Sequence, residues 1–268
     1  MNTASAQHLD DSVKFIRKHS SIEPSVALIL GSGLGEYADS FTSPEIISSA
    51  DIPYFPRSSV AGHRGKLVFG GVSTKNVLAF QGRVHLYEGH SADSVVYPVR
   101  VAQRLGVKQI ILTNAAGGIG RHLWPGALML ISDHINLLGK SYVELPQISS
   151  FSGKIYSSQL NEIAVASSAK IGLKIASGVY VGLRGPSYET ASEVEMILKL
   201  GGDAVGMSTV LEASLGAHLG MEVMGISCVT NMGTGISGEK LNHSEVTEVA
   251  ASVTKDFSGL LTEIISRI

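Results

Sequence analysis

Three side chains that could bind an anion alternate in one short segment, where Arg83, His85 and Tyr87 follow the apolar run 76–80. The run predicts the end of a buried strand. On an extended chain, residues two apart point the same way, so a guanidinium, an imidazole and a phenol would share one face. A solvated edge strand could carry this pattern too, but the neighbouring glycines favour a small anion site. Arginine presents a planar donor fork that matches phosphate or carboxylate.

A glycine-rich turn, Gly-Ser-Gly-Leu-Gly at 31–35, follows the predicted strand 26–30. It begins like a dinucleotide-binding fingerprint, but that pattern needs a glycine where this chain has Glu36. It is either an ordinary tight turn or a cradle where backbone N–H groups and the Ser32 hydroxyl meet an oxyanion.

Small residues, Thr-Asn-Ala-Ala-Gly-Gly at 113–118, also follow the predicted strand 109–112. They allow either close helix packing or close approach of a ligand to the backbone. Together with segments 31–35 and 81–87, they predict a shared site at the carboxyl edge of a sheet.

Two loop segments add candidates for proton transfer and ring binding. His63 lies between glycines, and its imidazole could give or take a proton near pH 7, although a plain surface histidine is the common alternative. Glu189 precedes a predicted helix, which Thr190 with Glu193, or Ser192 with Glu195, could cap. Glu189 is therefore either a favourable carboxylate at a helix start or an acceptor for a heterocyclic N–H, with Tyr188 stacked on the ring.

Four more residues stand at predicted element ends. Met207 could be plain core, and Ser208 could cap the next helix or bind a phosphate oxygen. Asn231 could cap the chain or offer a donor and an acceptor to a purine edge. His243 falls in the first turn of the last predicted helix, where the dipole disfavours its protonated form and a neutral ring could bind a hydroxyl.

Apolar runs alternate with helical patterns, which predicts an α/β sheet with helices on its faces. The predicted strands are 26–30, 66–69, 77–80, 109–112, 127–131, 178–183, 204–206 and 223–229; the predicted helices are 7–19, 97–105, 160–171, 190–200, 210–218 and 244–268. No linker divides the chain, so we expect one domain over residues 1–268. Residues 139–158 lack periodicity and predict a surface loop.

Composition excludes several classes of protein. The 268 residues are 44% hydrophobic with a net charge of −2, and the absence of a Lys/Arg-rich run argues against a nucleic-acid partner. No apolar run approaches the ~20 residues that span a bilayer. The polar N-terminus is unlike a secretory signal, so we expect a cytoplasmic protein. The sequence shows no metal-binding motif and no G-x-S-x-G elbow, so we expect neither a bound metal nor an α/β-hydrolase.

Taken together and in order, these segments resemble the trimeric purine nucleoside phosphorylases. The matching segments are Leu-Gly-Ser-Gly-Leu-Gly at 30–35, Phe-Pro-Arg-Ser at 55–58, Gly-His-Arg-Gly at 62–65, Gln-Gly-Arg-Val-His-Leu-Tyr-Glu-Gly at 81–89, Thr-Asn-Ala-Ala-Gly-Gly at 113–118, Asp-His-Ile-Asn-Leu at 133–137, Gly-Pro-Ser-Tyr-Glu-Thr at 185–190, Asp-Ala-Val-Gly-Met-Ser-Thr-Val at 203–210 and Thr-Asn at 230–231. The resemblance implies a single α/β domain with a mixed, twisted, partly barrel-like sheet. It also implies a homotrimer that needs no cofactor.

The implied reaction joins a purine ribonucleoside and inorganic phosphate to give free base and ribose 1-phosphate. The resemblance assigns phosphate to Ser32, His63, Arg83, His85, Ala115 and Ser208, ribose to Tyr87, Met207 and His243, and the base to Tyr188, Glu189 and Asn231. The expected catalytic residues are Asn231, Glu189, His85 and His63. Asn231 would donate to the base as negative charge builds there, and Glu189 would accept N1–H of a 6-oxopurine.

Three alternatives remain open. Methylthioadenosine phosphorylases share the phosphate segments, but that branch carries aspartate at the position of Asn231 and an apolar residue at that of His243. A non-catalytic nucleoside- or phosphate-binding protein could use the same fold. A hydrolytic nucleosidase would cleave without phosphate, whereas Arg83 and His85 favour a phosphate seat.

Two segments depart from the family pattern. Residues 120–124 differ, and residues 138–160 are shorter than the family segment that supplies an aromatic side chain to the neighbouring subunit's ribose pocket. Tyr142, Phe151 and Tyr156 are the candidates for that role.

Overall fold

Strands and helices alternate along the chain in the computed structural model, which describes residues 3–60, 63–139, 154–236, 249 and 252–268. The strands are β1 (Val26–Leu30), β2 (Thr42–Ser48), β3 (Lys66–Val72), β4 (Lys75–Gln81), β5 (Gln109–Gly118), β6 (Leu128–Asn136), β7 (Ile175–Gly182), β8 (Ala204–Gly206) and β9 (Glu222–Met232). The helices are α1 (Thr3–His19), α2 (Ala92–Val95), α3 (Tyr97–Arg104), α4 (Ser158–Lys170), α5 (Ala191–Lys199), α6 (Val210–His218) and α7 (Thr254–Arg267), with short 3-10 helices at Gly35–Ser40 and Leu86–Glu88.

The strands form one mixed sheet in the order β2-β3-β4-β1-β5-β8-β7-β6-β9. β1 runs parallel to β4 and β5, and its continuous apolar sequence is fully buried, as is typical of a parallel strand covered on both faces. β9 also pairs with β5, which closes β5, β8, β7, β6 and β9 into a ring. The predicted mixed, partly barrel-like α/β fold is therefore confirmed.

Apolar layers cover both faces of the sheet. α7 buries Phe257, Leu260, Leu261, Ile264 and Ile265, a set whose three- and four-residue spacing forms one helical face. On the other face α1, α3 and α6 contribute to a second cluster, and a smaller cluster lies beneath α5. Within the described ranges, none of the helices has the length and apolarity to cross a membrane.

Among the strands and α-helices, β2 and α2 were not predicted from the sequence, and neither were the two short 3-10 helices. β2 is largely exposed, contains Pro44 and pairs with β3 through a register shift after Thr42. Proline and exposure are tolerated at a sheet edge, but they weaken the sequence signal of a strand. α2 spans only four residues and leads directly into α3.

The site segments differ locally from the prediction. Residues 113–118 do not follow β5 but belong to it, because Gly117 and Gly118 pair with β8 and β9. Segment 81–87 is not extended throughout, since Gly82 has a φ of 114° and a 3-10 helix begins at Leu86. Most of the predicted 139–158 loop and the start of the predicted 244–268 helix lie outside the described residues.

Candidate active site

A cavity of about 370 Å³ at the ends of β5, β8 and β9 gathers most of the predicted site residues. It is lined by Ser32, Arg83, His85, Tyr87, Ala115, Tyr188, Glu189, Met207, Ser208 and Asn231, among others. His63 lies beside it, within hydrogen-bonding distance of Ser32. His243 falls outside the described residues. A volume of this size suits a small organic ligand.

Arg83 is a buried cation in the cavity wall, with only 4% of its surface exposed. Its Nη1 donates to the Thr113 carbonyl oxygen at 2.6 Å and lies 3.5 Å from Ser208 Oγ, and its Nε donates to Glu212 Oε1 at 3.1 Å. Nη2 lies 3.0 Å from Glu212 Oε2, but neither atom has hydrogen-bond geometry with a partner among the described residues. A guanidinium has five N–H donors, so Arg83 keeps donors for an anion beyond those that face Thr113 and Glu212.

A strained turn presents Ser208 to the same cavity. Thr209 has a φ of 70° and a ψ of −50°, which L-residues rarely adopt, and Val210 N donates to Ser208 O at 2.7 Å across it. Asn114 Nδ2 donates to Thr209 Oγ1 at 2.9 Å, and that hydroxyl lies 3.1 Å from Ser208 Oγ. Backbone strain of this kind persists only where neighbouring contacts hold it, and it is common at binding sites.

The turn that carries Ser32 is fixed to β5 by Thr113. Thr113 Oγ1 accepts from Gly31 N at 3.1 Å and donates to Ile29 O at 3.2 Å. A Cβ at Gly31 would lie 2.7 Å from the Thr113 carbonyl oxygen and 2.9 Å from Asn114 Cα. Glycine at this position therefore allows Ser32 to approach β5 closely.

Replacing Gly31 with alanine is expected to lower the free energy of unfolding by about 1–3 kcal/mol, because the added methyl overpacks against backbone atoms that cannot move independently. Chemical denaturation would measure the change. Gly35→Ala is the matched control, since a Cβ there meets no atom within 4 Å. Equal stability of the two variants would contradict the proposed fit of the turn.

His63 is held in one orientation by hydrogen bonds to the backbone and to serines. Its Nδ1 lies 2.6 Å from the Arg83 carbonyl oxygen and 3.2 Å from Arg83 N, and the shorter contact assigns the ring proton to Nδ1. Nε2 is then the acceptor for the Ser32 hydroxyl at 3.3 Å. Burial lowers the pKa of His63, which keeps the ring neutral near pH 7.

His85 is likewise neutral, although it contacts a carboxylate. Burial lowers the pKa of His85 to about 4, outweighing Glu88 Oε1 at 2.9 Å from Nδ1. Burial would raise the pKa of Glu88, but hydrogen bonds from Ser59 and His85 outweigh that effect and lower it to about 2. Because Nδ1 donates to Glu88 Oε1, Nε2 is the ring nitrogen left for a ligand. The ring also stacks on Tyr87, with centroids 4.7 Å apart.

A second group of lining residues has the character of a heterocycle site. The helix cap at α5 is the Thr190–Glu193 box, so Glu189 precedes the helix and is not needed to cap it. Burial raises the pKa of the half-buried Glu189 carboxyl. Asn231 Oδ1 accepts from Thr230 Oγ1 at 3.0 Å, and Nδ2 donates to Met232 O at 3.2 Å, which leaves the second Nδ2 proton for a ligand.

Comparison with known proteins identifies the family. The family model of the phosphorylase superfamily matches residues 25–266. The chain belongs to this superfamily.

Within the superfamily, the relatives place this phosphorylase among the purine nucleoside phosphorylases. It is 44% identical over 263 residues to purine nucleoside phosphorylase 1 of Geobacillus stearothermophilus, with 96% of each chain covered. It is 41% identical over 265 residues to purine nucleoside phosphorylase 1 of Bacillus subtilis, covering 97% of this chain and 98% of that one. A solved schistosoma purine nucleoside phosphorylase in complex with hypoxanthine has a TM-score of 0.91 at 36% identity, covering 98% of this chain and 97% of that one. The predicted family and fold are thus confirmed.

Several residues of the site in this phosphorylase had no predicted role: Glu212 was not singled out from the sequence, and Thr113, Asn114 and Thr209 were named only as members of predicted segments. Glu212, Thr209, Thr113 and Asn114 form a buried polar layer behind Arg83 and Ser208. A single acid in the apolar helix α6 is the one local signal that could have revealed Glu212, because a buried charge needs a partner.

Tyr156 does not supply the aromatic side chain that was expected in a neighbouring subunit's ribose pocket. Tyr156 is 6% exposed, its hydroxyl lies 2.9 Å from His134 Nδ1, and its backbone bridges to Val223. It is therefore part of this subunit's own core. Tyr142 and Phe151 lie outside the described residues.

Proposed function

We propose that this phosphorylase cleaves 6-oxopurine ribonucleosides such as inosine and guanosine with inorganic phosphate, releasing the free base and ribose 1-phosphate. The observation that carries the proposal is one cavity that combines a buried arginine with a carboxylate and an amide suited to a purine. Solved relatives are described in complexes with inosine, guanosine and hypoxanthine, and one with adenosine.

Phosphate is expected to bind the Arg83 guanidinium, the Ser32 and Ser208 hydroxyls, the Ala115 backbone and His85. The support is that these residues converge on one wall of the cavity, where Arg83 Nη1 lies 3.5 Å from Ser208 Oγ. His63, hydrogen-bonded to Ser32, completes this group. Phosphate so held would face the ribose as nucleophile, and its negative charge would stabilise the positive charge that develops on the ribosyl ring.

The base is expected to bind Glu189 and Asn231, with Tyr188 packed on its face. Glu189 would accept N1–H of a 6-oxopurine, whereas adenine has an acceptor at N1 and would leave the carboxylate unpaired. Asn231 Nδ2 would donate to N7 or O6 as charge builds on the leaving base. Because that interaction is stronger in the transition state than in the bound substrate, it accelerates the reaction.

Ribose is expected to lie between these two groups, in contact with Tyr87, Met207 and His243. Inorganic phosphate is the co-substrate, and the chemistry above requires no cofactor. The homotrimer, the single domain over residues 1–268 and the cytoplasmic location remain predictions.

The decisive experiment measures hypoxanthine release from inosine with and without inorganic phosphate, beside adenosine and methylthioadenosine. Phosphate-dependent cleavage of inosine, with little from the 6-amino substrates, is the expected result. Cleavage without phosphate would identify a hydrolase, and preference for methylthioadenosine would overturn the base-site roles. No cleavage of any of the three would favour a non-catalytic binding protein.

As the pH falls, the Michaelis constant for inosine is expected to rise. The rise should begin at a higher pH than it would for a glutamate with an ordinary pKa. Burial raises the pKa of Glu189, so as the pH falls this carboxylate gains its proton earlier and loses its ability to accept N1–H. Initial rates at saturating phosphate would give the profile. Glu189→Gln keeps an acceptor but cannot titrate, so its profile should be flat there; an unchanged acid limb in this variant would remove Glu189 from the base site.

A further inference from the structure

A carboxylate is buried directly behind the arginine of the anion site. Glu212, in the first turn of α6, has no exposed surface, and the other buried residues of this helix are Val210, Leu211, Ala213, Leu215 and Gly216. Burying a carboxylate beside a guanidinium often costs as much as it gains relative to an apolar pair. Packing alone therefore does not account for an acid at this position.

We propose that Glu212 is a positioning residue for phosphate, an inference that rests on the proposed function. Glu212 Oε1 accepts from Arg83 Nε, and Oε2 lies 3.0 Å from Nη2, so the carboxylate faces one edge of the guanidinium. On β5, the Thr113 carbonyl oxygen accepts from Nη1. Two separate elements thus fix the plane of an otherwise flexible side chain, and the remaining Nη protons are left for an anion.

The negative charge of Glu212 would weaken phosphate binding, whereas the orientation that it imposes on Arg83 would strengthen it. A carboxylate beside Arg83 offsets the positive charge that attracts phosphate, and Glu88 adds a second negative charge nearby, while His63 and His85 are neutral near pH 7. If charge dominated, removing the Glu212 carboxylate would strengthen phosphate binding. If orientation dominates, as we infer, removing it weakens phosphate binding. The sign of the change therefore separates the two effects.

Glu212→Gln is the test, because it keeps the size of the side chain but replaces one acceptor oxygen with an NH2 group. That group would face an N–H donor of Arg83 and could not accept a hydrogen bond from it. The Michaelis constant for phosphate is expected to rise about 10-fold or more, with the constant for inosine and kcat at saturating phosphate changed less than about twofold. Glu222→Gln is the matched control, since Glu222 is half-buried at the start of β9 and hydrogen-bonds Gln109 outside the cavity. An unchanged or lowered phosphate constant in Glu212→Gln would overturn the proposal.

Two further variants keep the test decisive. Glu212→Asp retains the charge but shortens the reach to Arg83, so it should raise the phosphate constant even if the glutamine variant does not fold; an unchanged value would contradict the proposal.

In an Arg83→Ala background, Glu212→Gln should have no additional effect on the phosphate constant, whereas an equal further rise would show that Glu212 acts independently of Arg83. Absence of phosphate-dependent turnover in the wild-type enzyme would instead reject the proposed function.

Discussion

Replacing Arg83 with alanine is expected to raise the Michaelis constant for phosphate about 100-fold, more than any other single change in the cavity. Charge-assisted hydrogen bonds to a buried anion are worth about 3 kcal/mol, and Arg83 is the one cation among the described residues that line the cavity. Initial rates with varied phosphate at saturating inosine would measure the effect. The inosine constant should change little, because the base contacts other groups.

The Arg83 variant has a stability cost that must be separated from its kinetic effect. Without Arg83, Glu212 is a buried carboxylate that lacks its partner, which costs about 3–5 kcal/mol of folding stability. Chemical denaturation should therefore accompany the kinetics. Arg104→Ala is the matched control, because Arg104 pairs with Asp10 at 2.6 Å on the surface. A phosphate constant that is unchanged in folded Arg83→Ala would reject the anion site.

Replacing Asn231 with aspartate is expected to lower kcat for inosine about 100- to 1000-fold, the usual cost of losing one donor to developing negative charge. The new carboxylate would face N7 or O6 as negative charge builds on the base. Adenosine should be favoured relative to inosine, because its 6-amino group can donate to the aspartate. Parallel kinetics on both nucleosides would measure the shift.

The control for this substitution is Asn76→Asp, the same chemical change on an exposed residue of β4. The phosphate constant of Asn231→Asp should stay near that of the wild-type enzyme, since the substitution leaves the anion-binding residues in place. Unchanged kinetics for both nucleosides would remove Asn231 from the base site.

The sequence predicted the cavity better than it predicted the local backbone. Arg83, His85 and Tyr87 line one cavity as expected, yet they do so through the Gly82 turn and a 3-10 helix and not through a strand alternation. Period-two patterns are ambiguous over so few residues. Residues 113–118 were predicted to follow a strand. Alanine and glycine have low strand propensity, but pairing on both sides overrides that preference.

The support behind the site was harder to predict because it depends on long-range contacts. Glu212 is separated from Arg83 by 129 positions, and Asn114 from Thr209 by 95, so no local spacing indicates either pair. Thr209 has the backbone conformation of a turn but not the residue type that signals one.

The closed ring of β5, β8, β7, β6 and β9 also bears on how ligands exchange. β5 is hydrogen-bonded to β1, β8 and β9, so the strand that carries Asn114 and Ala115 cannot separate from its neighbours without breaking several ladders at once. Local opening of a structure occurs where few such bonds must break. The floor of the cavity is thus rigid, and we expect ligand exchange to require movement of lining residues outside this ring, such as Tyr87 and Tyr188.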